Sequence, residues 1–198
     1  MKKPTLHIGI DEAGRGPLAG PVYVGLVAAP IDFDFGIFPH LDDSKKMTER
    51  RREKVYTILR KMEEASPGIR WTTSHTSATE IDSDGIQQAV QNAIDSGLER
   101  LVPNPDNVKI YLDGGLQAPD KFKHQKTIIG GDGIQPIISL ASVIAKVSRD
   151  NHMRRLDVMY PTFKLAQHKG YGTEAHCEAI QTHGPSPIHR RSYITNIV

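Results

Sequence analysis

Apolar and polar positions alternate in several short stretches and recur at helical spacing in the segments between them. In Leu6-His7-Ile8-Gly9-Ile10-Asp11 the large apolar residues return every second position, which predicts a strand over 6–11. A second apolar strand is expected over 22–29, a third over 70–76 with Trp71 and several threonines, and short ones over 108–113 and 126–129. Val55, Ile58, Leu59 and Met62 fall at i, i+3, i+4 and i+7, predicting a helix over 48–64 that Pro67-Gly68 ends. Ile86, Ala89, Val90, Ala93 and Ile94 share one face of a helix expected over 85–98. Residues 139–150 are apolar nearly all round, as in a buried helix, and 152–157 continue it. A last helix is expected over 173–182, and 30–44 reads as loop. The order β-β-α-β-α-β-β-α-α predicts an α/β fold, a mixed sheet flanked by helices.

Three of these strands end at an aspartate beside glycines, or reach one within a few residues: Asp11, Asp113 and Asp132. Ligands of open α/β sheets gather beyond the carboxyl ends of strands. A lone Asp before Gly is commonly a turn residue. Asp11-Glu12, however, puts two charges directly after a buried strand, which is costly without pairing or a metal. Mg²⁺ and Mn²⁺ prefer oxygen ligands, and two-metal phosphodiester hydrolysis takes roughly four carboxylates. Asp11, Glu12, Asp113 and Asp132 could supply that set, with Asp150 competing for the fourth place. Neighbouring strand residues point to opposite faces. Asp11 and Glu12 are therefore expected to share a site because the strand stops at Asp11 and Ala13-Gly14 turns the chain.

Gly14-Arg15-Gly16 lacks the Gly-Lys-Ser/Thr ending of a nucleoside-triphosphate loop, but its backbone could approach a phosphate or sugar hydroxyl closely. The formal net charge is only +2, so charge distribution says more than its sum. Lys45, Lys46, Arg50, Arg51, Arg52 and Lys54 cluster within ten residues, and His189-Arg190-Arg191 forms a second group. Such clusters neutralise phosphates or simply form a solvated helix face. Cys177 is the single cysteine, which excludes an internal disulfide and a cysteine metal site. No apolar run approaches membrane-helix length, and Met1-Lys2-Lys3-Pro4-Thr5 opens no signal-peptide core, so a cytoplasmic protein is expected.

Asp11-Glu12-Ala13-Gly14-Arg15-Gly16-Pro17-Leu18-Ala19-Gly20-Pro21-Val22 resembles the opening signature of bacterial ribonuclease HII, the type 2 ribonuclease H family. Further segments resemble that family in order: Leu41 to Thr48, Leu112-Asp113-Gly114, Ser139 to Asp150, His168-Lys169-Gly170-Tyr171-Gly172-Thr173 with His176, and Pro187 to Tyr193. The resemblance runs over about residues 7–193. It implies a ribonuclease H-like mixed five-stranded sheet with a small C-terminal helical extension. The catalytic core would span 1–160, and 161–198 would complete the substrate site within the same unit. It implies hydrolysis on the 5′ side of a ribonucleotide, in RNA–DNA hybrids or embedded in duplex DNA, leaving 3′-hydroxyl and 5′-phosphate ends. Ribonucleotide removal from DNA would be the role, and a monomer the working form.

By position, Asp11, Glu12, Asp113 and Asp132 resemble four ligands for two Mg²⁺ or Mn²⁺ ions. Gly14, Arg15 and Gly16 resemble the loop at the ribose 2′-hydroxyl, and Tyr171 the tyrosine that bonds this hydroxyl and stacks on the next deoxyribose. Ser44, Lys45 and Lys46 resemble phosphate contacts. The family's usual Lys before Gly-Asp is replaced by Gly130-Gly131-Asp132. Arg15, where type 3 enzymes carry Lys, argues against that type. Lys146 and Arg149 either reach the site or pair with Asp150, while Arg190 and Arg191 fit structural support or distant phosphates. A DNA nuclease of similar fold should lack the Gly-Arg-Gly loop and Tyr171, and a non-catalytic hybrid-binding protein should lack a carboxylate.

Overall fold

A computed structural model describes residues 5–38, 41, 47–65, 68–102 and 104–198. Its elements are β1 (Leu6–Ala13), β2 (Val22–Pro30), α1 (Glu49–Ala65), β3 (Arg70–Thr76), α2 (Ala78–Leu101), β4 (Val108–Asp113), β5 (Gln125–Ile128), α3 (Pro136–Met159), α4 (Leu165–His168) and α5 (Glu174–His183). The strands form one five-stranded sheet in the order β3-β2-β1-β4-β5. β1 to β3 are antiparallel neighbours, while β4 and β5 run parallel to β1. The expected mixed sheet flanked by helices is the one observed.

Alternation along β1 assigns its two faces. Ile8 and Ile10 join Val24, Leu26 and the apolar side of α2, including Ala89, Val90, Ala93 and Ile94. The opposite face meets α3, whose Ile137, Ile138, Leu140, Ala141 and Ile144 pack with Val27, Ala29, Val55 and Leu59. α3 comes close because β1 and β2 have glycine beneath it. A Cβ on Gly9 would lie 2.1 Å from the Ile137 carbonyl oxygen, and one on Gly25 2.2 Å from that of Ala141. Gly25 is the register partner of Asp11. Close helix contact therefore reaches the residue pair that carries the first candidate carboxylate.

Helix boundaries differ from expectation at three places. α2 begins at Ala78, where Ser77 and Glu80 form a reciprocal capping box, and the chain breaks helical geometry at Gly85 (φ 79°). The expected start at 85 is that break, and the segment before it is too short to show a periodic face. α3 begins at Pro136, a residue tolerated in a first turn because its missing N–H would have no intrahelical partner. α4 was not expected; at four residues it is too short to show periodicity. The segment after α3 folds back, and Phe163, Leu165, Ile180 and Ile194 bury against Ala19, Met153 and Leu156.

Candidate active site

β1 does not end at Asp11. It stays paired with β2 through Ala13, whereas its pairing with β4 stops at Ile10 opposite Leu112. The expectation of a turn at Asp11 is thus corrected: the strand continues, and what ends is its cover on the β4 side. Asp11 and Glu12 both border that opening. Asp113, the last residue of β4, acts electrostatically on both of them.

The charges of this group are arranged against burial. Asp11 is 4% exposed. Burial pushes its carboxyl up to about 7; Glu12 and Asp113 add to this, while Lys146 and a hydrogen bond from Ser142 oppose it. The Lys146 ammonium stands 4.0 Å from Asp11 Oδ2 and also binds the Ser142 hydroxyl. Both residues come from α3, so the glycine contacts beneath that helix set their reach. Glu12 is raised by burial and held down chiefly by Arg15, 3.6 Å away. Asp113 Oδ1 accepts the Gly131 N–H at 2.6 Å, which places Asp132 one residue from that bond. Asp132 is buried, and its carbonyl accepts the Ser139 hydroxyl. Asp150 is engaged differently: it pairs with Arg52 at 3.7 Å, and burial raises its carboxyl against the pull of Lys169 and Arg52.

Among the described residues, no group of three or more His, Cys, Asp or Glu side chains stands ready to hold a metal ion. Mg²⁺ does not need such a cage, since it takes one or two carboxylates and completes its shell with waters and substrate phosphates. Three mutually repelling carboxylates, one of them pushed to about 7, fit a cation better than they fit an empty site. The donor set therefore suits a hard divalent ion.

An open cleft of about 510 Å³ adjoins this group, sharing Glu12 and Lys146 with it. Gly14, Arg15, Gly16, Arg149, Asp150, Lys169 and Tyr171 also line it. Two buried arginines hold the glycine loop from behind. Arg190, with no exposed surface, donates to the carbonyls of Gly14 (2.6 Å), Arg15 (2.7 Å) and Gly20 (3.0 Å). In a trans peptide the N–H points opposite the carbonyl. Fastening the Gly14 and Arg15 carbonyls to Arg190 therefore turns the N–H groups of Arg15 and Gly16 away from it. Arg149 donates to the carbonyls of Pro21 and Ala19 and lies 5.8 Å under the Tyr171 ring. A Cβ on Gly14 (φ 95°) would strike the Arg149 guanidinium at 2.0 Å, so only glycine fits there.

The site thus brings together Glu12, Gly14, Arg15, Gly16 and Tyr171 on one cleft, with Asp11 beside it, and joins Asp113 to the Asp132 turn. Ser44, Lys45 and Lys46 lie outside the described residues. Lys146 reaches the carboxylates, whereas Arg149 binds backbone and Asp150 is ion-paired with Arg52 instead. Arg190 was expected as structural support or as a contact to distant phosphates, and its hydrogen bonds are those of support. Its place behind the loop depends on a contact between distant parts of the chain; the one sequence hint was a pair of arginines with no acidic residue nearby. Arg191 is exposed, and its N–H binds Asp82.

A mixed five-stranded sheet with carboxylates at the ends of its central strands is the arrangement of a ribonuclease H-like fold. The family model described as Ribonuclease HII matches residues 8–196. The chain is 43% identical over 189 residues to Ribonuclease HII of Desulfitobacterium hafniense (strain DSM 10664 / DCB-2), covering 95% of this chain and 68% of that one. It is 42% identical to Ribonuclease HII of Acinetobacter baylyi, covering 93% of each. The crystal structure of the ribonuclease H2 from Pyrococcus horikoshii OT3 superposes with a TM-score of 0.73 at 25% identity, over 97% of this chain and 96% of that one. The chain belongs to the ribonuclease HII family, whose members are hydrolytic endoribonucleases dependent on divalent metal.

Proposed function

We propose that this protein, acting as a monomer, cuts the RNA strand of RNA–DNA hybrids and cuts 5′ to single ribonucleotides in duplex DNA, leaving 3′-hydroxyl and 5′-phosphate ends. Removal of ribonucleotides from DNA is the corresponding role. The observation that carries this reading is the shared cleft: the loop whose carbonyls Arg190 fixes, the Tyr171 ring and Glu12 all line it. Only a 2′-hydroxyl tells a ribonucleotide from a deoxyribonucleotide at one position. The N–H groups of Arg15 and Gly16 and the phenol of Tyr171 are suited to read it at close range.

Asp11, Glu12, Asp113 and Asp132 would hold two Mg²⁺ or Mn²⁺ ions. When bound, such ions supply an acidified attacking water and charge neutralisation at the leaving oxygen. Asp132 is favoured over Asp150 as the fourth ligand because its turn is tied to Asp113, while Asp150 is engaged by Arg52. Lys146 partly offsets the burial that raises the Asp11 carboxyl, and can turn to a substrate phosphate once a cation takes over that task. Arg15 and Lys169 add positive charge along the cleft, and Ser44, Lys45 and Lys46 would extend the phosphate contacts. A DNA nuclease of the same fold would have no use for this glycine loop beside Tyr171. The test is a DNA duplex carrying one ribonucleotide, incubated with Mg²⁺ or Mn²⁺. A cut at that residue supports the reading, and equal cutting of an all-DNA duplex overturns it.

A further inference from the structure

Behind the exposed ring of Tyr171 lie three histidines that the chemistry above does not use. His176 has no exposed surface and His189 only 2%. The His168 ring stacks on His176 at 4.4 Å. Backbone groups at both ends of this cluster leave each ring nitrogen one possible role.

The Ser186 N–H can only donate, and it lies 3.1 Å from His189 Nδ1; the Ser186 hydroxyl, 2.9 Å from the same nitrogen, then donates as well. That nitrogen is therefore bare, and His189 carries its proton on Nε2. His189 Nε2 faces His176 Nε2 at 3.1 Å, so the second must accept. His176 then carries its proton on Nδ1, 2.9 Å from the Tyr171 carbonyl, which can only accept. Hydrogen bonds thus run in one direction, from Ser186 through His189 and His176 to Tyr171. His168 is fixed in the same way: its Nδ1 accepts the Gly170 N–H at 3.2 Å, and its Nε2 donates to the Phe163 carbonyl at 2.8 Å. An added proton would set two donors against each other, at the His176–His189 contact if it goes on His176 and against the Ser186 N–H if it goes on His189. In keeping with this, burial and the neighbouring His176 lower His189 to about 4, and burial lowers His176.

Backbone bonds hold the Tyr171 peptide too, its N–H to the His168 carbonyl at 2.9 Å and its carbonyl from the Thr173 N–H at 2.8 Å, and His176 adds the side-chain part of that hold. Tyr171 is 49% exposed and stands between Gly170, which is left-handed (φ 83°), and Gly172. The flanking residues thus bring no side chain to anchor it. We infer that His176 and His189 are positioning residues for Tyr171, holding its peptide, and through it the ring, at the place where the sugar is read. This rests on the reading of Tyr171 given above.

Substitutions that keep or remove a single donor test it. His176→Asn keeps an amide donor near the Nδ1 position. His176→Gln moves the amide to the Nε2 position and leaves the Tyr171 carbonyl without that donor. Each is assayed on a single-ribonucleotide duplex and on a long hybrid with the same metal. The ratio of the two kcat/KM values should fall about tenfold in His176→Gln, the scale of one lost hydrogen bond, and stay within about threefold in His176→Asn. His189→Asn, which still accepts from Ser186 but cannot reach His176, should fall like His176→Gln. Equal losses on both substrates, or no difference between the Asn and Gln variants, would overturn the inference.

Imidazole ¹⁵N spectra of the unsubstituted protein at pH 7 give a readout that needs no activity. His176 protonated on Nε2 instead of Nδ1 would also overturn it. If Tyr171→Ala leaves the substrate ratio unchanged, the sugar-reading role of Tyr171 is what fails. The positioning role is then decided by the Tyr171 amide and ring resonances in His176→Gln: a shift upholds it, and unchanged resonances refute it.

Discussion

Asp11 sits where a buried strand meets the cleft, 4.0 Å from one ammonium group and within the field of two other carboxylates. Asp11→Asn keeps its shape and removes its charge. Cleavage should fall to background while binding to an RNA–DNA hybrid persists, as a gel-shift assay alongside the cleavage assay would show; retained cleavage within a few-fold would refute the ligand assignment. Arg190 offers a contrasting case, because it touches no substrate group. Arg190→Ala takes the donor from three carbonyls at once. Leaving buried carbonyls unpaired costs about 1–3 kcal/mol each, so a loss on the order of 3 kcal/mol is expected in urea unfolding. Arg190→Lys should recover only part of it, since an ammonium cannot reproduce the planar fork. The acidic residues were legible as charges in an apolar context. Arg190 and Arg149 were not, because their partners are backbone carbonyls far away in the chain.

At the level of elements, α3 sets the depth of the site through two glycines. Gly9→Ala would drive a methyl group into the Ile137 carbonyl, a main-chain atom that cannot rotate away. Overpacking of this kind costs about 3 kcal/mol, and a change below about 1 kcal/mol would contradict the account. Lifting α3 should also carry Lys146 and Ser142 away from Asp11 and slow cleavage. The C-terminal histidines give a pH signature of definite sign. His189 sits at about 4 in the fold and at 6.5 ordinarily, so the unfolded chain binds the extra proton. Its contribution is whole above pH 6.5 and is lost as pH falls toward 4. Asp11, raised by burial, acts in the opposite sense, so the comparison must be internal. The melting-temperature advantage of the unsubstituted protein over His189→Gln should narrow between pH 6.5 and 4; a constant gap would contradict this. Strands and long helices were legible from their periods. The capped start of α2 was present as Ser77 and Glu80 but lay outside the periodic stretch, and the continuation of β1 past Asp11 depends on β2, which local pattern does not reveal.

For the whole molecule, the sheet, α3 and the folded-back C-terminal segment each supply a part of one cleft. Among the described residues no helix is long and apolar enough to cross a membrane. The order of motifs made the family legible, whereas the way 161–198 braces the loop from 14 to 20 emerged only in three dimensions. The central claim is that this cleft reads a single ribose inside DNA and hydrolyses the bond on its 5′ side. The direct measurement uses a DNA duplex with one ribonucleotide, labelled on that strand, with Mg²⁺ or Mn²⁺ present and the fragment ends mapped. The account predicts one cut immediately 5′ to the ribonucleotide, leaving a 3′-hydroxyl and a 5′-phosphate, and no cut in the all-DNA control. Cleavage of both duplexes alike, or an intact ribonucleotide strand under conditions where long hybrid is cut, would contradict it.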